Sequence, residues 1–167
     1  MRLSSVLLIC VVGTCLVLGA SLSTSFVSAS AIDATVSIHP DTLNCKHASA
    51  EKAGGRWITV YIELPEDYDV GYINVSSVLL DGVIPAISDA KYGFVKNPEM
   101  ADRDENGVPE LMVKLDRHAV ASHVLARLTH MMPIPKRGVE IDLTITGSLL
   151  DGTAFEGTDI IRAICPE

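Results

Sequence analysis

The sequence has 167 residues, with 13 Lys and Arg against 21 Asp and Glu, a formal charge of −8 and 48% hydrophobic residues. An acidic chain without a basic cluster is repelled by phosphate backbones, which excludes nucleic acid as a partner. A basic start at Arg2, an apolar run from Val6 to Ala20 and the exit Ala29-Ser30-Ala31 describe a secretory signal peptide over residues 1–31. An uncleaved N-terminal anchor is the alternative, and either one places the remainder outside the cytoplasm, secreted or at the cell surface.

Residues 32–167 carry 12 basic and 21 acidic side chains, a charge of −9, over a length that suits one domain with a core of its own. The predicted elements begin with a strand at Ala34 to Ile38. Cys45 follows, and with Cys165 near the other end it reads as a disulfide, because no neighbouring Cys or His completes a zinc-like set. The alternative is two separate buried thiols. His47 to Gly55, rich in small residues, reads as an exposed loop.

Arg56 to Leu64 alternates cleanly, with Ile58, Val60, Ile62 and Leu64 on one side and Trp57, Thr59, Tyr61 and Glu63 on the other, so it is a half-buried strand. Asp69 to Tyr72 suggests a single helical turn. Strands are expected at Val75 to Leu80, Val83 to Ile87 and Lys91 to Val95, with Asp81-Gly82 as a turn between the first two. Leu111, Val113 and Leu115 face inward on the next strand. Arg117 to His130 breaks the pattern: Val120, Val124, Leu128 and Met131 have helical spacing, Asp116 is the expected N-cap, and Met132 to Pro135 ends the helix. Val139 to Ile145 alternates again, and Asp151-Gly152 turns the chain into a last strand at Gly157 to Ile164. The fold class expected is mainly β, a two-sheet immunoglobulin-like sandwich of seven or eight strands with one inserted short helix.

The blocks VSIHPDTLN, RWITVYIELPEDYDV, INVSSVLLDGVIPA, PELMVKLDR and VEIDLTITGSLLDGTAFEGTDIIR resemble a small exported β-sandwich module found in archaeal and bacterial surface and secreted proteins. The likeness spans nearly all of residues 32–167 in order. It implies a fold and an acidic loop of D-x-D-x-D-G-x-P-[DE] type, onto which Asp102, Asp104, Asn106, Gly107, Pro109 and Glu110 map, and it implies no particular activity. Asn106 in place of the third Asp, the cysteine pair and the longer His47 to Gly55 loop depart from it.

Read from its residues, that acidic loop places Asp102, Asp104, Asn106 and Glu110 around the turn-forming Asn106-Gly107 pair, as a short loop does to gather oxygens around Ca²⁺, with Val108 offering its backbone carbonyl. An EF-hand needs a bidentate Glu at the twelfth position, where Val113 stands, so it is not an EF-hand. The alternative is a solvated acidic loop. Trp57 and Tyr61, on one strand face, are spaced to stack on sugars, but the helix from Arg117 must bury its stripe, and that face is the expected partner. His123, Arg127 and His130 share a helical face that reads as solvated, since the Arg127 cation opposes a metal. Asn74-Val75-Ser76 is an N-glycosylation sequon. No G-x-S-x-G, H-E-x-x-H or phosphate-cradling glycine loop is present. The functional expectation is a non-catalytic exported domain, calcium-stabilised, with a structural or interaction role and an unknown protein or glycan of the cell envelope as partner. The alternative is a carbohydrate-binding module using Trp57 and Tyr61, and a third reading is a small secreted hydrolase.

Overall fold

The computed structural model describes residues 31–45, 55–129 and 137–164. Residues 1–30 of the expected signal peptide, the loop after Cys45 up to residue 54, the expected helix stop at Met132 to Pro135 and Cys165 lie outside the described residues.

Two sheets form a β-sandwich. The strands are β1 (Ile32–Asp33), β2 (Thr35–His39), β3 (Thr42–Asn44), β4 (Trp57–Glu63), β5 (Leu79–Leu80), β6 (Ile84–Pro85), β7 (Met100–Ala101), β8 (Glu110–Asp116), β9 (Val139–Ser148) and β10 (Ala154–Ile164). One sheet runs β1-β10-β9-β5-β6, with β3 also on β10, and the other runs β2-β4-β8-β7. The chain passes from the first sheet to the second at Ala34, whose amide donates to Glu156 O at 2.7 Å. That crossing lies so close to β10 that a Cβ on Gly157 would collide with Ala34 O and approach Val36 Cγ2 to 2.6 Å. Glycine is the residue that lets two backbones meet there.

The long strands follow from their alternation. In the β4–β8 ladder Ile58, Val60 and Ile62 stand opposite Leu115, Val113 and Leu111, all buried, and Trp57, Tyr61 and Glu63 stand opposite Asp116, Met112 and Glu110 on the outer face. A one-residue slip would turn that whole apolar set outward, so register and burial enforce each other. The buried side chains of both sheets form one cluster that includes Leu80, Leu143, Ile145, Phe155 and Ile161. The β9–β10 hairpin closes at Asp151-Gly152 as expected, with Asp151 Oδ1 accepting from Thr153 N at 2.8 Å.

Helix α2 (Arg117–Leu128) starts where Asp116 Oδ1 accepts from Ala119 N at 3.0 Å. Its buried Val120, Ala121, Val124 and Leu128 join the main core, so the expectation that this stripe covers Trp57 and Tyr61 is corrected. The helix touches β4 and β8 on one side and ties to the other sheet through its polar face. His123 Nε2 lies 2.7 Å from Asp81 Oδ2, and Arg127 Nη1 donates to Asp81 Oδ2 at 2.6 Å and to Asp142 O at 2.8 Å. The histidine–arginine face is therefore a clasp and not a solvated surface, while His130 lies outside the described residues. Asp81 occupies the β5–β6 turn with φ 50°, followed by Gly82 at φ 68°, the double positive-φ pattern of a tight hairpin turn. Its Oδ1 accepts from Thr144 N at 2.9 Å. Burial would raise the Asp81 carboxyl, but the Thr144 amide, the His123 bond and the Arg127 cation outweigh it and hold the pKa below its ordinary value of 3.8.

Two strand expectations fail, for local and for tertiary reasons. Val75 to Ser77 is a 3-10 turn, because Asn74 Oδ1 accepts from Ser76 N at 3.2 Å and competes with the ladder; only Leu79–Leu80 reach the sheet. Lys91 to Val95 is replaced by a turn and a four-residue helix, α1 (Gly93–Lys96). Stacked Tyr92 and Phe94, with centroids 5.4 Å apart, present themselves together to Trp57, and that packing overrides the strand propensity of the segment. The single turn expected near Asp69 is present, with Asp69 Oδ1 accepting from Gly71 N at 2.8 Å.

Candidate metal centre

The site forms where the second sheet ends. The β4–β8 register sets Glu63 opposite Glu110, both on the outer face, and the intervening acidic loop folds back to bring Asp104 to them. One ligand oxygen from each of Glu63, Asp104 and Glu110 lies within 4.8 Å of the other two. Glu110 is buried, at 6% exposure, and its Oε2 accepts from Arg103 N at 3.2 Å. Three carboxylates at this spacing repel one another, by about 1 kcal/mol per pair at 4 Å in bulk water and more where solvent is excluded.

The sequence-predicted ligands divide into two groups. Asp104 and Glu110 are in the cluster. Asp102 instead builds the loop, its Oδ1 accepting from Asn106 N at 2.9 Å and its Oδ2 from Gly107 N at 2.8 Å. Glu105 at φ 59° and Gly107 at φ 92° make the reversal, and at Gly107 the absence of a side chain makes that backbone angle cheap. Asn106 presents a donor to the cluster: Nδ2 donates to Glu63 Oε2 at 2.8 Å and to Asp104 Oδ2 at 3.1 Å. Its Oδ1 accepts from Val108 N at 2.7 Å, so the amide orientation is set by both of its ends. For Val108 the contact made is through its N–H.

The donor set fits a hard divalent cation. Glu63, Asp104 and Glu110 would hold it, with water completing the six to eight oxygens that Ca²⁺ takes. Asn106 would serve as a ligand only by turning its amide and giving up the Val108 bond. Sequence reading missed Glu63. Its alternation placed it on the outer face at a strand end, but only the pairing of β4 with β8 shows what stands opposite.

Arg103 pins the loop to the sheet. Its guanidinium lies 4.2 Å from the Tyr61 ring centroid, and its Nη2 donates to His39 Nε2 at 2.7 Å. Because arginine only donates, that imidazole nitrogen accepts, which places the ring N–H on Nδ1, 3.1 Å from Asp41 Oδ1. Ser37 Oγ also lies 2.9 Å from Nε2. The order Ser37, His39, Asp41 is that of a nucleophilic triad, but the nitrogen that would act as base is already engaged by Arg103. The four groups act as a strut beneath the loop.

The two aromatic rings proposed as a sugar platform are each engaged. Trp57 meets Tyr92 and Phe94 edge-on at 5.3 and 5.7 Å, with the Arg56 guanidinium 4.6 Å above it. Tyr61 has Arg103 over its face and His39 at its edge, centroids 5.7 Å apart. Cys45 is buried just after β3, and β3 runs parallel to β10 with Asn44 opposite Ile164, one residue before each cysteine. Asn74 of the sequon caps its 3-10 turn.

No protein-family model matches this sequence, and no curated protein does. A solved structure described as giving structural insight into host cell surface retention of a 1.5-MDa bacterial ice-binding adhesin aligns with a TM-score of 0.33 and 18% identity. The alignment covers 84% of this chain and 33% of that one, so the chain spans about a third of its length. A likeness at this level carries no conclusion about role. Among the described residues no helix is long and apolar enough to cross a membrane.

Proposed function

We propose that this chain is a non-catalytic, exported β-sandwich domain whose acidic loop is locked by Ca²⁺ and whose role outside the cell or at its surface is structural or one of protein interaction. The observation that carries the calcium reading is the convergence of Glu63, Asp104 and Glu110 from two strand ends and a loop. Export rests on the signal-like residues 1–31 and on the resemblance to exported sandwich modules. With three carboxylates and the rest of the shell left to water, affinity falls in the weak range of extracellular modules, about 10⁻⁴–10⁻³ M. Millimolar Ca²⁺ raises the melting temperature relative to chelator, and Glu63→Gln abolishes most of that rise; an unchanged melting curve at millimolar Ca²⁺ sinks the site.

A Cys45 to Cys165 bridge belongs to the same proposal. The parallel β3–β10 pairing supports it by bringing the two flanking segments side by side. In the chain-entropy model such a long closed loop contributes on the order of 4 kcal/mol. Alkylation of the unreduced protein under denaturing conditions labels neither residue, and labelling of both disproves the bridge.

A further inference from the structure

Three of the large apolar side chains exposed to solvent come together at one end of the sandwich, Tyr72 at 60%, Met100 at 55% and Leu150 at 69% exposure, with Tyr68 at 41% in the turn that precedes them. Their contiguity is set by the backbone. Leu150 N donates to Tyr72 O at 2.8 Å, Ile73 bridges to Leu149, and a Cβ at Gly71 would sit 3.6 Å from Met100 Sδ. Tyr68 stands in the turn that leads into the same segment, its amide bonded to Pro65 O at 2.8 Å. A contiguous apolar patch with a polar rim is the mark of an interaction surface, whereas singly scattered apolar residues need no explanation.

The rim has one sign. The three connections that build this end, residues 65–72, 97–109 and 149–153, carry eight acids, all exposed, and a single base. That base, Arg103, lies over Tyr61 and against His39 and offsets one acid, so the three connections keep a net formal charge of −8 + 1 = −7. Such a field repels anionic membranes and repels a second copy presenting the same rim, while it attracts and orients a cationic partner. We propose that this end of the domain binds a basic polypeptide segment, which seats apolar side chains against Tyr72, Met100 and Leu150 and places its Lys or Arg residues on the acidic rim.

The proposal deepens the interaction reading above and rests on it, but it does not need the cation. The test is a titration of the isotopically labelled exported chain with a synthetic peptide of alternating Lys and Leu, alongside its Glu-for-Lys counterpart, followed by amide shifts with and without chelator. The expected result is shifts confined to the three connections, no binding of the Glu peptide, and at least tenfold weaker binding by the Tyr72→Ser/Leu150→Ser double variant. Ile160→Ser, which alters an exposed apolar residue elsewhere, leaves binding unchanged. Both sites are exposed, and an unchanged melting curve of the double variant confirms its fold. Shifts spread over other acidic surfaces, equal binding by the double variant, binding of the Glu peptide, calcium-dependent binding to anionic vesicles, or self-association lost in the double variant would each overturn the proposal. Binding that persists in chelator stands whatever the calcium melting curve shows, so the two readings fail separately.

Discussion

The Asp81 junction and the acidic loop are built from the same functional group and balanced in opposite ways. At the junction one carboxylate meets the Thr144 amide, His123 and Arg127, and thereby holds the β5–β6 turn, β9 and α2 together. At the acidic loop three carboxylates share the Asn106 side-chain amide and backbone N–H and the Arg103 backbone N–H. A satisfied carboxylate is a fastener complete within the protein, whereas a cluster short of positive charge stores repulsion that something outside the chain can relieve. The contrast separates the acid that holds the fold from those that a cation would stabilise.

The largest expected effect lies at the junction. Asp81→Ala leaves an arginine, a histidine and a partly buried amide without their common acceptor, and destabilises the protein by about 2–4 kcal/mol in denaturant unfolding, with or without Ca²⁺. A loss below about 1 kcal/mol would make the junction ornamental. Next comes acid. The Asp81 pKa is lower folded than unfolded, so the folded protein binds fewer protons in this window; the contribution is present above 3.8 and is lost as pH falls through the lowered folded value. The stability gap between the protein and Asp81→Asn therefore narrows below about pH 4, and a gap that widens on acidification contradicts the sign. The smallest effect is at the aromatic face. Trp57 is the chain's single tryptophan, so its emission reports that face alone. Polysaccharide is expected to leave the emission unchanged, and a shift with saturation would restore the sugar-binding alternative.

How much of this was legible differs between the two regions. The acidic loop was visible because its residues are close in sequence and its turn chemistry is local, and of the expected ligands Asp104 and Glu110 lie together beside Glu63. Spacing does not reveal that Asp102 accepts from the Asn106 and Gly107 amides, or that Asn106 turns its Nδ2 toward Glu63 and Asp104. Asp81 was legible only as a turn residue. Its three partners lie 42 to 63 positions away, beyond any local pattern.

By itself the sequence determined the elements whose cause is local: the alternating strands that became β4, β8 and β9, the Asp-Gly turns, and the start of α2 at the Asp116 cap. Only the tertiary structure decided which acids face one another, where the α2 stripe is buried, that Tyr92 at the start of α1 and Phe94 within it cover Trp57, and that three separate connections bring Tyr72, Met100 and Leu150 together. The reason is physical. Propensity and capping act over a few residues, whereas the opposition of Glu63 to Glu110 and the meeting of Tyr72 with Leu150 depend on strand pairing and close approach between segments far apart in the chain.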